Sequence, residues 1–438
     1  MPSRIDPYLT ESDVVILENL FRDKSKASTN ANPADDDKKA SQGVDLDDAA
    51  ALAYLQALND HSSPQFQPTV FTTWDEKDVP VWLNKYLVRP YTDVAKRIVR
   101  HPTDVVFLTH ILLYLSVNLT SAIYLYFNFS YIHGLLHAAF TFWCAGAFTL
   151  MLHNHIHNGG VLSRDWYWLD VSFPYVLEPL MGHTWDSYYY HHVKHHHVEG
   201  NGPDDLSSTI RYQRDDLFNF LQYLGRFLFL VWYDLPMYFI RKKKTGLAVR
   251  AFTSEMLSYA FLYFMFFHIH AKAATFTLII PYTLLRLGLM VGNWGQHALV
   301  DEVEPDSDFR SSITLLDVPS NRFCFNDGYH TAHHLNPRRH WRDHPVHFLQ
   351  SKQAYSEGRA LVFHNIDYLM MTVKLLQKDY DHLANCLVPI GDQVKMTKKE
   401  IADMLRTKTR KFSEEDIQKK FKPSFKAADM PKKGMVTP

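Results

Sequence analysis

The sequence predicts an all-α, membrane-embedded fold: a four-helix transmembrane bundle with a cytoplasmic helical cap rich in histidine. Three observations predict it. Apolar stretches long enough to cross a bilayer come in pairs. The segments before the first and third stretches are basic, which orients the bundle. The 438-residue chain holds 25 histidines, and many of them cluster at the same ends of those stretches.

Composition narrows the class. The formal net charge is −1, so no basic excess exists to neutralise phosphates and no nucleic-acid partner is expected. Apolar residues make up 46% and aromatics 14%, too rich for a disordered chain. Cys144, Cys324 and Cys386 are too few for a disulfide framework and show no C-x-x-C spacing. The near-zero charge hides an asymmetry. Residues 1–75 carry 6 Lys/Arg against 13 Asp/Glu, and residues 391–438 carry 13 against 7. Three parts follow: an acidic, partly disordered N-terminal tail over 1–75, a membrane domain over 76–365, and a basic helical tail over 366–438. The first residues lack the apolar core of a cleaved signal. Residues 28–48, rich in Asp, Ala, Asn and Lys, read as a solvated linker.

Residues 105–127 and 132–152 are nearly continuous apolar runs of about 20 residues, enough for a ~30 Å hydrocarbon layer. The short link between them makes a helical hairpin. It carries the sequon Asn128-Phe129-Ser130, too near the membrane to be used. A second pair covers 252–268 and 275–292, the latter interrupted by Pro281 and Arg286. An intramembrane arginine is costly and marks a polar interior or a site. Segment 217–240 is apolar but holds Arg226, Asp234 and Pro236. Charge decides its place. Lys85, Lys96, Arg97 and Arg100 precede the first span; Arg241, Lys242, Lys243, Lys244 and Arg250 precede the third. The positive-inside rule puts both groups in the cytoplasm. That requires 217–240 to lie in the interface, giving four crossings with both termini cytoplasmic.

The histidines fall on this map in order. His153 and His157 follow the second span four residues apart, so both rings share one helical face. His155 lies on another face. The run 190–197 contains H-x2-H-H at His192, His195 and His196, leaving His191 and His197 as interfacial or supporting residues. Asn293-x3-His297 ends the last span, and a second H-x2-H-H follows at His330, His333 and His334. Repeated spacing on one side of the membrane points to a shared metal centre, and imidazole suits iron, zinc and copper.

These boxes resemble those of integral-membrane fatty acid desaturases, hydroxylases and related non-haem di-iron oxygenases, over roughly residues 80–360. The resemblance implies an all-histidine site for two iron ions, with O2 as co-substrate. It implies as ligands His153, His157, His192, His195, His196, His297, His330, His333 and His334, and implies that Asn293 reaches one iron through water. The chain departs from the family in places. Its first box has three intervening residues where animal-type acyl-CoA desaturases have four. Its third begins with His330 in place of the glutamine of front-end desaturases. No His-Pro-Gly-Gly haem motif occurs. Electrons are therefore expected from a separate cytochrome b-type or ferredoxin-like protein with its reductase. Residues 198–205 are also similar to a stretch of membrane alkane hydroxylases.

Removing hydrogen from an unactivated CH2 needs a strong oxidant, which two irons can generate together from O2. The rings must be neutral to bind, and each should donate its other N–H to a carboxylate or carbonyl. Asp165, Asp170, Glu178, Asp186, Glu199 and Asp204 are nearby carboxylates. An oxidant beside apolar helices suits a lipid or fatty acyl substrate, and the aromatics between 166 and 190 either line a channel or anchor the loop in the interface. The expectation is O2-dependent acyl desaturation in the endoplasmic reticulum membrane, a location implied by the family. Two alternatives stand beside it: a lipid, alkane or secondary-metabolite hydroxylase at the same centre, and a non-catalytic membrane protein holding zinc or copper. At the far end, Thr397-x-x-Glu400 predicts a capping box and a short basic helix, either solvated or touching anionic lipid.

Overall fold

The computed structural model describes residues 10–29, 47–72, 74–316 and 318–421. Most of the 28–48 linker, and all residues after 421, lie outside them. The described chain is mostly helical, with two small two-stranded sheets. The helices that frame the site are α1 (Glu11–Thr29), α2 (Asp48–Asn59), α3 (Pro102–Phe127), α4 (Tyr131–Asn158), α5 (Tyr167–Leu180) and α6 (Leu217–Arg241). They continue with α7 (Thr245–Phe264), α8 (Ala271–His297), α9 (His330–Leu335), α10 (Tyr368–Leu376) and α11 (Lys398–Thr407).

Among the described residues three helices, α3, α4 and α8, are long and apolar enough to cross a membrane. The expected α3–α4 hairpin forms, and Val105, Phe107 and Ile111 of α3 pack with Phe148, Met151 and Leu152 of α4. Gly134 near the start of α4 lies against the Phe276 ring near the start of α8. Both helices then run to the histidines. The fourth expected crossing, 252–268, lies on α7, which continues as a π-helical turn over Met265–Ile269. It is not among the three, because Glu255, His268 and several serines and tyrosines dilute its apolar character. Glu255 is buried and pairs at 2.8 Å with Arg286 of α8.

Helix α6 has its N-cap at Asp216, whose side chain accepts from Asn219 N, and folds back on α7 through a turn at Lys242–Lys244. Near its start, the Tyr223 hydroxyl accepts from Asn293 at 2.6 Å. At its end, Lys242 pairs with Glu199 and Asp204 at 3.0 and 2.7 Å. Both ends therefore touch the histidine-bearing region, and α6 lies across it rather than leading away.

The cap is built on parallel strands β1 (Ile313–Leu316) and β2 (Leu361–His364). Their side chains join Trp294, Leu299, Leu375, Leu383, Ile401 and Leu405 in one core. Each large apolar side chain buried there contributes about 1.5–3 kcal/mol. The capping box at α11 forms, with Thr397 N donating to Glu400 Oε2 at 2.7 Å. Ile401, Ala402 and Leu405 bury one face of this helix, which makes it an integral part of the cap. The N-terminal part is also docked in its described stretches. Ile16, Leu17 and Leu20 of α1, with Leu55 of α2, pack on Leu316, Tyr329, Ala332 and Phe348.

Candidate metal centre

Three features of local backbone place the rings. The first is the end of α4, where His153 and His157 sit one turn apart before a left-handed cap at Gly159. Gly160 follows at φ +124, where any Cβ would collide with the Asp170 carboxylate. The second is Tyr189–His196, which winds as a π-helix, with bonds from i to i+5. In this wider turn the fifth residue, not the fourth, returns to the same side. His197 therefore meets His192, Nε2 to Nε2, at 3.1 Å, while His196 turns to the neighbouring group. The third is the short α9, which supplies His330, His333 and His334 beside His297 at the end of α8.

Two groups result. The ligand nitrogens of His153, His157, His192, His197 and His333 lie within 4.8 Å of one another, and those of His196, His297 and His334 do likewise. His330 stands beside the second group, its Nε2 3.1 Å from that of His297. Eight of the nine expected ligands are thus in or beside the two groups. His195 is not. It is fully buried, its Nε2 accepts from Leu206 N at 3.0 Å, and its ring packs on Tyr238. His197, expected only in support, joins the group of five. α-Helical spacing points to His195; the π winding exchanges the two.

The donor set fits a metal. Nε2 atoms run from His153 to His333 to His197 to His192 at 3.1, 2.8 and 3.1 Å. A neutral imidazole nitrogen either donates or accepts, so His333 Nε2 cannot satisfy two such neighbours through protons alone. Metal–imidazole bonds of about 2.0–2.1 Å would place adjacent ligand nitrogens roughly 2.9–3.3 Å apart, the spacing found. His157 Nε2 and His334 Nε2 are buried without a hydrogen-bond partner. Burial first, and neighbouring rings second, hold His192, His197 and His333 well below the ordinary imidazole range, so they are neutral and ready to bind. The fully buried Asp205 accepts from His196 Nδ1 at 2.7 Å and is itself held by Asn201 N and Ser207 N. That fixes the His196 ring with Nε2 free.

Residues 129–365, more than half of the chain, match the family described as fatty acid desaturase. The chain belongs to the fatty acid desaturase family. Membership makes it an oxidoreductase of the desaturase or hydroxylase type, and its apolar helices make it a membrane protein. Neither a curated relative nor a solved structure matches the chain.

In this desaturase-family chain a cavity of about 500 Å3 adjoins both groups. His153, His192, His196, His330 and His333 line one end, and α4 and α8 supply much of the rest. Asn293, the expected water-mediated contact, also lines it, but its Nδ2 donates to Ser207 O and Tyr223 Oη. Two of the expected carboxylates have other partners. Asp170 accepts from Val161 N and Leu162 N, and Glu199 accepts from Tyr238 Oη. Asp308, whose Oδ1 lies 3.6 Å from His334 Nδ1, was missed, and so was Asp205. The turn residues Asn201-Gly202-Pro203 before it signal a loop doubling back on His196, but not which of two adjacent aspartates faces the ring.

Proposed function

We propose that the protein desaturates a fatty acyl chain, using O2 and two irons held by the two histidine groups. One observation carries this reading: a single apolar cavity, walled by membrane helices, adjoins rings of both groups. His153, His157, His192, His197 and His333 would hold one iron, and His196, His297, His330 and His334 the other, with Asn293 the candidate for a contact through water. When bound, the irons supply the oxidant, formed from O2 and two electrons, that removes two hydrogens from adjacent carbons.

The residues do the rest. Buried neutral rings offer lone pairs without a proton to displace. Asp205 sets the tautomer of His196. The apolar wall holds the chain and excludes water, which protects a reactive site from side reactions. Electrons come from a separate donor protein. Four crossings, cytoplasmic termini and an endoplasmic reticulum location belong to the same reading. The position of α6 across the histidine-bearing surface supports it, since an interfacial α6 keeps the basic run 241–244 on the cytoplasmic side.

The test is the lipid profile of a desaturase-deficient host expressing the full chain. A new double bond, the loss of two hydrogens, supports the proposal. Gain of an oxygen atom makes the protein a hydroxylase, and zinc in place of iron with no O2 uptake overturns the enzymatic reading.

A further inference from the structure

The large cavity extends along α4 and α8 away from the histidines. On α8 its wall includes the stripe Leu284, Gly288, Gly292 and Gln296, each four residues from the next and so on one face. On α4 it includes Phe142, Gly146, Thr149 and His153. The helices meet at Gly134 and Phe276, then leave a slot between these two stripes. A Cβ on Gly288 or Gly292 would meet nothing within 4 Å, so both glycines open onto free space.

The outer wall of this slot is not closed. Phe142 is 61% exposed, Leu284 38% and Leu369 of α10 53%. Phe142 lies eleven residues before His153, about 16 Å along the helix. On helices apolar enough to span, exposed side chains at that depth face hydrocarbon. The charge of the lining points the same way. Among the described residues that line the cavity the one cation is Arg286, and both Glu255 oxygens take its Nη2 at 2.8 and 3.0 Å. Asp367 adds negative charge, while burial pushes the Asp327 carboxyl up to about 7. A coenzyme A head carries several phosphates, which call for unpaired Arg and Lys at the mouth.

We propose that the substrate is the acyl chain of an intact glycerolipid, drawn sideways from the bilayer into the slot between α4 and α8, and not a soluble acyl thioester. This rests on the reading of the site as an acyl-oxidising centre. The headgroup stays in the interface, where α10 presents Leu369, Met370 and Val373 outward. The acyl chain slips sideways between the two stripes and lies along the glycines, its methyl end toward Phe142 and Leu284.

The experiment uses the iron-loaded full chain in vesicles of phosphatidylcholine bearing a mid-chain diazirine. After illumination, label is expected on the inner-wall residues 288–296, and excess stearoyl-coenzyme A leaves it unchanged. Gly288→Leu and Gly292→Leu fill the slot from positions where a side chain has room. Label on 288–296 should fall roughly tenfold or more in both, because occupied volume excludes the chain, while iron content stays at the wild-type level. Displacement of the lipid by stearoyl-coenzyme A, or undiminished label in both variants, overturns the proposal. Labelling needs no turnover, so its outcome is separable from the function. A protein that labels but forms no double bond overturns the proposed function alone. One that desaturates stearoyl-coenzyme A in detergent without glycerolipid overturns this inference alone.

Discussion

The five-histidine group is packed ring against ring. His153 lies 4.4 to 4.8 Å, centroid to centroid, from His333, His157 and His192. The second group packs its rings as closely, His330 lying 4.4 Å from His334 and 4.8 Å from His297, but it adds a carboxylate that holds a ring: Asp205 binds His196. The two groups are therefore prepared differently. In both, facing nitrogens crowd one another, which a bound metal would relieve. In the second, an acid orients a ring before any metal arrives. Both groups should depend on metal to relieve their crowded rings, and the second also on its acid for its affinity.

The largest expected effect comes from removal of a ring in the five-histidine group. His333→Ala should abolish turnover, a loss beyond the roughly 10–100-fold that supporting partners cost, and should remove one iron per chain by elemental analysis. Next comes the exchange made by the π-helical turn. His197→Ala should lose iron from the first group, whereas His195→Ala should keep the wild-type iron content. The reverse pattern would restore α-helical spacing as the correct guide. Asp205→Asn should then cost about 10–100-fold in activity with weaker iron binding at the second group.

A pH effect follows from the buried histidines. Burial, with neighbouring charges second, holds His191 and His344 down to about 3, whereas an unfolded histidine titrates near ~6.5. Below that pH the unfolded chain binds protons that the folded chain refuses. The stability of the metal-free protein therefore falls as pH drops from about 6.5 toward 3. Thermal unfolding in detergent at about pH 7.5 and 5.5 checks it, with the lower midpoint expected in acid. The smallest effect lies outside both groups. Asp13 of α1 is fully buried and accepts from Tyr329 Oη at 2.5 Å and Asn321 Nδ2 at 3.1 Å. Asp13→Ala strands those donors next to His330 and should cost about 1–3 kcal/mol in stability.

Much of the centre was legible in the sequence because metal ligation forces residue type and spacing together. The pair at 153 and 157 needed only a helical period, and the repeated H-x2-H-H boxes marked His192, His196, His330, His333 and His334. What stayed hidden depends on winding or on distance along the chain. A π-helical turn leaves no mark in composition, so His197 and His195 could not be told apart. Asp205 reaches His196 through a loop whose course depends on tertiary contacts. The apolar Ile16, Leu17 and Leu20 mark one face of α1, but their partner Tyr329 is more than 300 residues away. The acidic composition around that helix pointed instead to a tail.

Iron per chain is the most direct test of the claim that two histidine groups each hold one ion. The wild-type protein should carry two irons, and His333→Ala and His297→Ala one each. A single iron in the wild type, or two retained in either variant, would contradict it.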